Sequence, residues 1–190
     1  MYATNKNQQA LESRERIRDA LLVLLRKNPY KDISITQICQ EAQIVRQTYY
    51  RNFEQKDDIL RFHLDRMVGL YFSEYFKEND VKAQLKTFFE YMLQNSGFLI
   101  LVSENDLFFM IEAVITQNIE SFLDFRQITN TDDPGLEKYA TRFIAATICS
   151  LLSLWVTSGF DESPDIMSAL AQRFLAGVSN EKRRAGGIVS

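Results

Sequence analysis

The chain has 190 residues, 46% of them hydrophobic and 25% charged, with a formal net charge of −3. That length allows one domain or two small ones, and that composition excludes a disordered or fibrous chain. Seven glycines and three prolines are too few for the many tight turns of an all-β protein, so a helical fold is expected.

The charge is uneven. Residues 1–56 hold ten Lys/Arg against six Asp/Glu, while 57–190 hold twelve against nineteen. A basic end on an acidic body suits a chain that meets a polyanion at one end only. Residues 1–16 are polar and charged, without the apolar core of a secretory signal. The uncharged run 143–160 reaches the lower limit of a membrane span. Thr147, Ser150, Ser153, Thr157, Ser158 and Gly159 within it favour a buried helix and no membrane partner. Cys39 and Cys149 have no Cys or His neighbour at metal-ligand spacing. They read as reduced thiols of a cytoplasmic protein, with no metal and no cofactor.

In chain order, 1–12 reads as a loose polar arm. Ser13 can cap a helix to about Lys27, whose Ile17, Leu21, Leu24 and Leu25 form one apolar stripe. Asn28-Pro29 ends it. Ser34-Ile35-Thr36-Gln37 is a capping box flanked by Ile33 and Ile38 at the staple positions, predicting a short helix over 35–42. A break near Gln43 and a second short helix over 46–53 complete a helix-turn-helix. Long amphipathic helices follow at roughly 57–78, 81–96, 106–127, 135–158 and 164–177, with a short turn of helix at 98–103. Asp80, Asp106, Pro134-Gly135 and Ser163-Pro164 separate them. The expected fold is all-α with about nine helices. A three-helix helix-turn-helix domain covers 1–56, a larger antiparallel helical domain 57–178, and a polar tail 179–190.

Function rests on 45–53. On a helix, Val45, Tyr49 and Phe53 share one face that can pack inward, while Arg46, Gln47, Tyr50 and Arg51 point outward. Arg and Gln can pair with base edges in the major groove, and Tyr, Thr and Lys can hold phosphates.

Residues 13–60 resemble the DNA-binding domain of the TetR family of regulators. The resemblance lies in the order of an amphipathic helix, Ile33-Ser34-Ile35-Thr36-Gln37-Ile38, Ala42, Ile44-Val45-Arg46-Gln47-Thr48-Tyr49-Tyr50-Arg51-Asn52-Phe53, Lys56 and Asp57-Asp58-Ile59-Leu60. It implies that Tyr50 and Lys56 grip phosphates and that Arg46, Gln47 and Thr48 lie at the bases. Thr36 and Gln37 would touch the backbone, and Arg51 and Asn52 complete the surface. Three positions depart from the family pattern: Gln43 where Gly is usual, Val45 where a small capping residue is usual, and Asn52 where His or Tyr is commoner. A homodimer on a palindromic double-stranded operator is implied, acting as a repressor.

Residues 143–174 resemble the last two helices of such a regulator, which pair with their copies in a partner subunit. Ala146, Ser150, Ser153 and Thr157 form a small-residue stripe that lets another helix approach, with Phe143, Leu151, Leu154 and Trp155 beside it. Leu170 and Phe174 lie on the second of the two helices. The aromatics of the body read first as core. The resemblance offers a second reading for Phe72, Phe76, Phe88, Tyr91, Phe108, Phe109 and Glu112: lining for a small apolar effector. The helix from Asp57 would carry its displacement to the recognition helix. His63, the only histidine, reads as structural. No phosphate loop, nucleophile elbow or HExxH pair suggests an enzyme. The alternative is a helical adaptor controlled by a protein partner.

Overall fold

The computed structural model describes residues 2–75, 80–122 and 134–179, and all regular structure among them is helical. They divide into two compact units between Val68 and Gly69, inside a helix. The tail expected at 179–190 lies outside the described residues apart from Ser179.

The first unit opens on α1, Tyr2–Leu25. The expected loose arm is therefore helical, and Ser13 lies inside the helix, its hydroxyl donating to the Gln9 carbonyl at 2.9 Å. Strong helix formers such as Gln8, Gln9, Ala10 and Glu12 extend the helix although they make no apolar stripe. A 3-10 turn at Tyr30–Asp32 leads to α2, Ile35–Glu41, and α3, Arg46–Asn52. The next helix, α4, covers Lys56–Leu70 and passes into a π-helical turn at Tyr71–Tyr75. Ile17, Leu21, Ile33, Ile38, Tyr49 and Ile59 are fully buried together, joining the α1 stripe to the inner sides of α2, α3 and α4.

His63 is half-buried on α4 beside Arg18, Asp19 and Arg66, and loss of solvent first, then the Arg18 cation, pushes its imidazole down to about 4. A folded pKa below the unfolded one means that the unfolded chain binds the extra proton between the two. The neutral imidazole's contribution is therefore complete above about pH 6.5 and is lost as pH falls toward 4. Urea unfolding at pH 7 and pH 5 should show a fall in stability for the wild type. His63→Gln should show a smaller one, and equal falls would contradict the burial of a neutral imidazole.

The second unit contains α5 (Val81–Gln94), α6 (Ser96–Glu104), α7 (Phe108–Phe122), α8 (Pro134–Thr157) and α9 (Pro164–Ser179). The segment expected as a short turn at 98–103 is a full helix. α5 packs chiefly on α9, and α7, α6 and α9 surround α8. Trp155 sits at the centre: its ring meets Phe89 and Phe160 edge-on at 5.5 and 5.0 Å, and its indole N–H donates to the Glu162 carbonyl at 2.8 Å. It belongs to the core and not to the surface beside the small-residue stripe, since only 2% of it is exposed. Lys138–Thr157 is long and apolar enough to cross a membrane by length and composition. Its Ile144, Ala145, Ile148, Leu152 and Val156 are buried in the unit, as in a core helix.

Candidate nucleic-acid interface

The capping box forms as the sequence predicts. The Ser34 hydroxyl accepts from the Gln37 amide at 3.3 Å, and the Gln37 side-chain oxygen accepts from the Ser34 amide at 2.8 Å. Ile33 and Ile38 are both buried around it. The Gln37 side-chain oxygen accepts within the box, and its NH2, the donor of the side chain, is the group that can meet a phosphate. The turn is a Schellman motif: Ile44 N–H donates to Cys39 O at 3.0 Å and Gln43 N–H to Gln40 O at 3.1 Å. It requires a left-handed residue, and Gln43 adopts φ 54°. A β-carbon there costs roughly 1–2 kcal/mol, so Gln43→Gly should raise unfolding stability by about 1 kcal/mol. Denaturant titration checks this; a destabilised variant would mean that the Gln43 side chain compensates the strain.

Val45 caps α3 without a side-chain hydrogen bond and is 66% exposed. It does not pack inward with Tyr49 and Phe53 as expected from helical periodicity, because its backbone is extended at the cap and the 3.6-residue spacing starts only at Arg46. Tyr49 and Phe53 are buried and fix the inner face. The outer face carries Arg46, Gln47, Tyr50 and Arg51, all exposed, with Thr48 and Asn52 half-buried at its edge. Asn52 Nδ2 donates to the Thr48 carbonyl at 2.8 Å, and Tyr50 stands edge-on to Tyr49 at 5.3 Å. Arg46 donates to the Thr36 hydroxyl, joining the start of α3 to the start of α2. Thr36 and Arg46 therefore form one polar surface spanning both helices.

Lys56 is held inward. Its Nζ donates to the Tyr30 and Ile33 carbonyls at 2.6 and 2.8 Å and stands 4.3 Å from the centre of the Tyr30 ring. Two of its three donors are thus used inside the unit, leaving one for a phosphate. The Tyr30 hydroxyl donates to Asp57; burial, with that carboxylate beside it, pushes its pKa far up, so it stays a donor. The Asp58 carboxylate accepts from the Glu54 and Gln55 amides, both at 3.0 Å, closing the corner into α4.

No family model matches the chain. It is 31% identical over 144 residues to the HTH-type dhaKLM operon transcriptional activator DhaS of Lactococcus lactis subsp. lactis (strain IL1403), covering 67% of this chain and 71% of that protein. The solved structure of a TetR transcriptional regulator from Streptococcus agalactiae 2603V matches with a TM-score of 0.67 at 18% identity, covering 91% of this chain and 98% of that one. The chain belongs to the TetR family of transcriptional regulators. A further solved structure, of a dihydroxyacetone kinase operon activator DhaS, shares the fold with a TM-score of 0.56 at 23% identity over 87% of this chain and 94% of that one. As a TetR-family protein the chain is a DNA-binding regulator and not an enzyme.

The candidate effector residues fall in two places. Phe72 is half-buried and Phe88 and Tyr91 are buried, all with their rings against Tyr71 at 5.6, 6.2 and 5.4 Å. Phe108 and Glu112 instead line an open groove of about 470 Å³ between α7 and α8, with Ala146, Ser150, Leu154 and Thr157 on its other side. Glu112 lies 3.3 Å from Arg142. Phe109 is 60% exposed, and Phe76 lies outside the described residues. The candidate dimer residues are all at the surface: Phe143, Leu154 and Phe174 are 51%, 68% and 53% exposed. Ala146, Ser150 and Thr157 are exposed too, and Ser153 and Leu170 are half-buried.

Two side chains at the interface carry no signal in the sequence. Arg16 Nη2 donates to the Ala42 carbonyl at 2.7 Å and to that of Gln43 at 3.3 Å. Arg14 Nη2 reaches the Asn52 carbonyl at 3.4 Å. On a polar helix surface such residues cannot be told from solvated charges; only the tertiary placement of the turn reveals them.

Proposed function

We propose that the chain regulates transcription as a homodimer on a near-palindromic operator, reading bases with Arg46, Gln47 and Thr48. Tyr50, Arg51, Asn52, Lys56, Thr36 and Gln37 hold the backbone. The observation that carries this reading is α3 itself: its inner face is locked by Tyr49 and Phe53, and its outer face presents Arg46, Gln47, Tyr50 and Arg51 to solvent. Such a surface can donate paired hydrogen bonds to base edges. Gel-shift titration against selected and scrambled duplexes tests it; equal affinity for both would defeat it.

Dimerisation is supported by the apolar side chains that α8 and α9 leave uncovered. Phe143, Leu154, Ile166 and Phe174 are large, exposed and on the two helices where the resemblance puts the subunit contact. The groove between Phe108 and Leu154 opens onto the same α8 stripe, so a second copy of the chain competes there with any small effector. Control by a protein partner, without a small ligand, is therefore retained as the alternative. The sign of regulation has two supports. Operator occupation alone represses by occlusion, whereas both DhaS relatives are activators. Transcript levels of the adjacent operon with and without the gene decide between them: a rise on deletion means repression, and a fall means activation. A cytoplasmic location accords with DNA as the partner.

A further inference from the structure

We propose, resting on the reading of α3 as the recognition helix, that Arg14 and Arg16 of α1 are positioning residues for DNA recognition. Each guanidinium caps the C-terminal end of one helix of the helix-turn-helix, and together they set the pose in which α3 presents Arg46 and Gln47.

The last carbonyls of a helix lack intrahelical partners and carry the negative end of its dipole. Arg16 supplies donors and a cation to that end of α2. Its two acceptors belong to Ala42, the C-cap, and to Gln43, the left-handed residue that makes the turn. Arg14 does the same for α3. Its Nη2 points at the carbonyl of Asn52, the last residue of the helix. Its guanidinium carbon lies 5.3 Å from the ring centres of both Phe53 and Phe62. Those rings meet edge-on at 5.8 Å across the corner from α3 to α4. Arg14 thus fastens the far end of the recognition helix, and Arg16 fastens the end of α2 at the turn that leads into it.

The turn needs external support. Gln43 holds a left-handed backbone at a cost, and Val45 gives α3 no side-chain cap. A turn with these two weaknesses does not fix the angle between α2 and α3 by itself, and base contacts depend on that angle to within fractions of an ångström.

Direct phosphate binding by these arginines is the competing role, and salt dependence separates the two. Losing a phosphate contact weakens all sequences alike and lowers the slope of log affinity against log salt by about 1. Losing a clamp lowers affinity for the preferred duplex and leaves the slope unchanged.

The experiment first enriches duplexes from a random pool with the full wild-type chain. Failure to enrich any sequence would defeat the reading of α3 itself. With an enriched duplex in hand, Arg16→Ala, Arg16→Lys and Arg14→Gln are titrated against it and a scrambled duplex over a salt series, with thermal unfolding to confirm the fold. Arg16→Ala should lose about tenfold on the enriched duplex, comparable to one base contact. It should lose little on the scrambled one, with the slope unchanged. Arg16→Lys should recover part of the loss, because lysine keeps a cation with several donors but its side chain is shorter, so the ammonium meets the Ala42 and Gln43 carbonyls less well than Arg16 Nη2 does. Unchanged selectivity, or equal loss on both duplexes with a reduced slope, would overturn the proposal. If Arg16→Ala does not fold, Arg16→Lys and Arg14→Gln bear the same test: retained selectivity in both overturns it, and a selective loss in either supports it.

Discussion

Leu154→Glu is expected to convert the proposed homodimer to a monomer at micromolar concentration and to abolish operator binding. Among the described residues of α8, Leu154 is the most exposed large apolar side chain, 68% accessible, beside the exposed Ala146 and Ser150. In a two-fold interface one substitution places two carboxylates in the contact. Burying an unpaired carboxylate costs several kcal/mol, so the dimer should weaken by at least about a hundredfold. Ala146→Glu should act in the same way by blocking the close approach that the small-residue stripe permits. The inner side of α8 is untouched by either change, so thermal unfolding of the monomer should still be cooperative. Sedimentation velocity reads the result, and unaltered sedimentation of both variants would remove α8 from the interface.

Arg46→Ala and Gln47→Ala are each expected to lose about 1–3 kcal/mol of preference for the operator, the value of one bidentate base contact. In the double variant, discrimination between operator and random duplex should fall by a factor on the order of a hundred or more if the contacts are independent. Both side chains are exposed and neither supports the core, so stability should change little. Arg46 begins from a hydrogen bond to Thr36. If Arg46 acts by way of that bond, Thr36→Val should share part of its loss of base preference; if Arg46 acts on a base alone, Thr36→Val should keep the wild-type preference and weaken all sequences alike through its own backbone contact. Retained sequence preference in the double variant would mean that α3 is not the reading element.

What was legible in the sequence was local. The capping box at Ser34 and Gln37 and the staple at Ile33 and Ile38 depend on side chains three to five residues apart, and they form as read. The outer face of α3 follows from helical geometry once its start is known. Val45 leaves the face it would share with Tyr49 and Phe53 because it is an extended cap, one residue before the helical spacing begins. The polar segment before Ser13 gave no stripe from which to infer a helix, although its residues favour one. The clamp by Arg14 and Arg16 was illegible, because its partners are backbone carbonyls that any sequence supplies. So was the inward tether of Lys56 to Tyr30 and Ile33. In the second unit, aromatic content could not say which rings pack on Tyr71 and which, such as Phe109, face solvent.

In the proposed function, a pair of α3 helices reads a two-fold DNA site. The most direct test is selection of binding sites from a random duplex pool by the purified chain, followed by sequencing. The prediction is an inverted repeat whose half-sites are about one helical turn apart, roughly 34–36 Å, or a small multiple of it. Arg46→Ala should change the preferred base at the same position in both halves. Enrichment of no sequence, or of a single unrepeated site that Arg46→Ala leaves unchanged, would contradict the account.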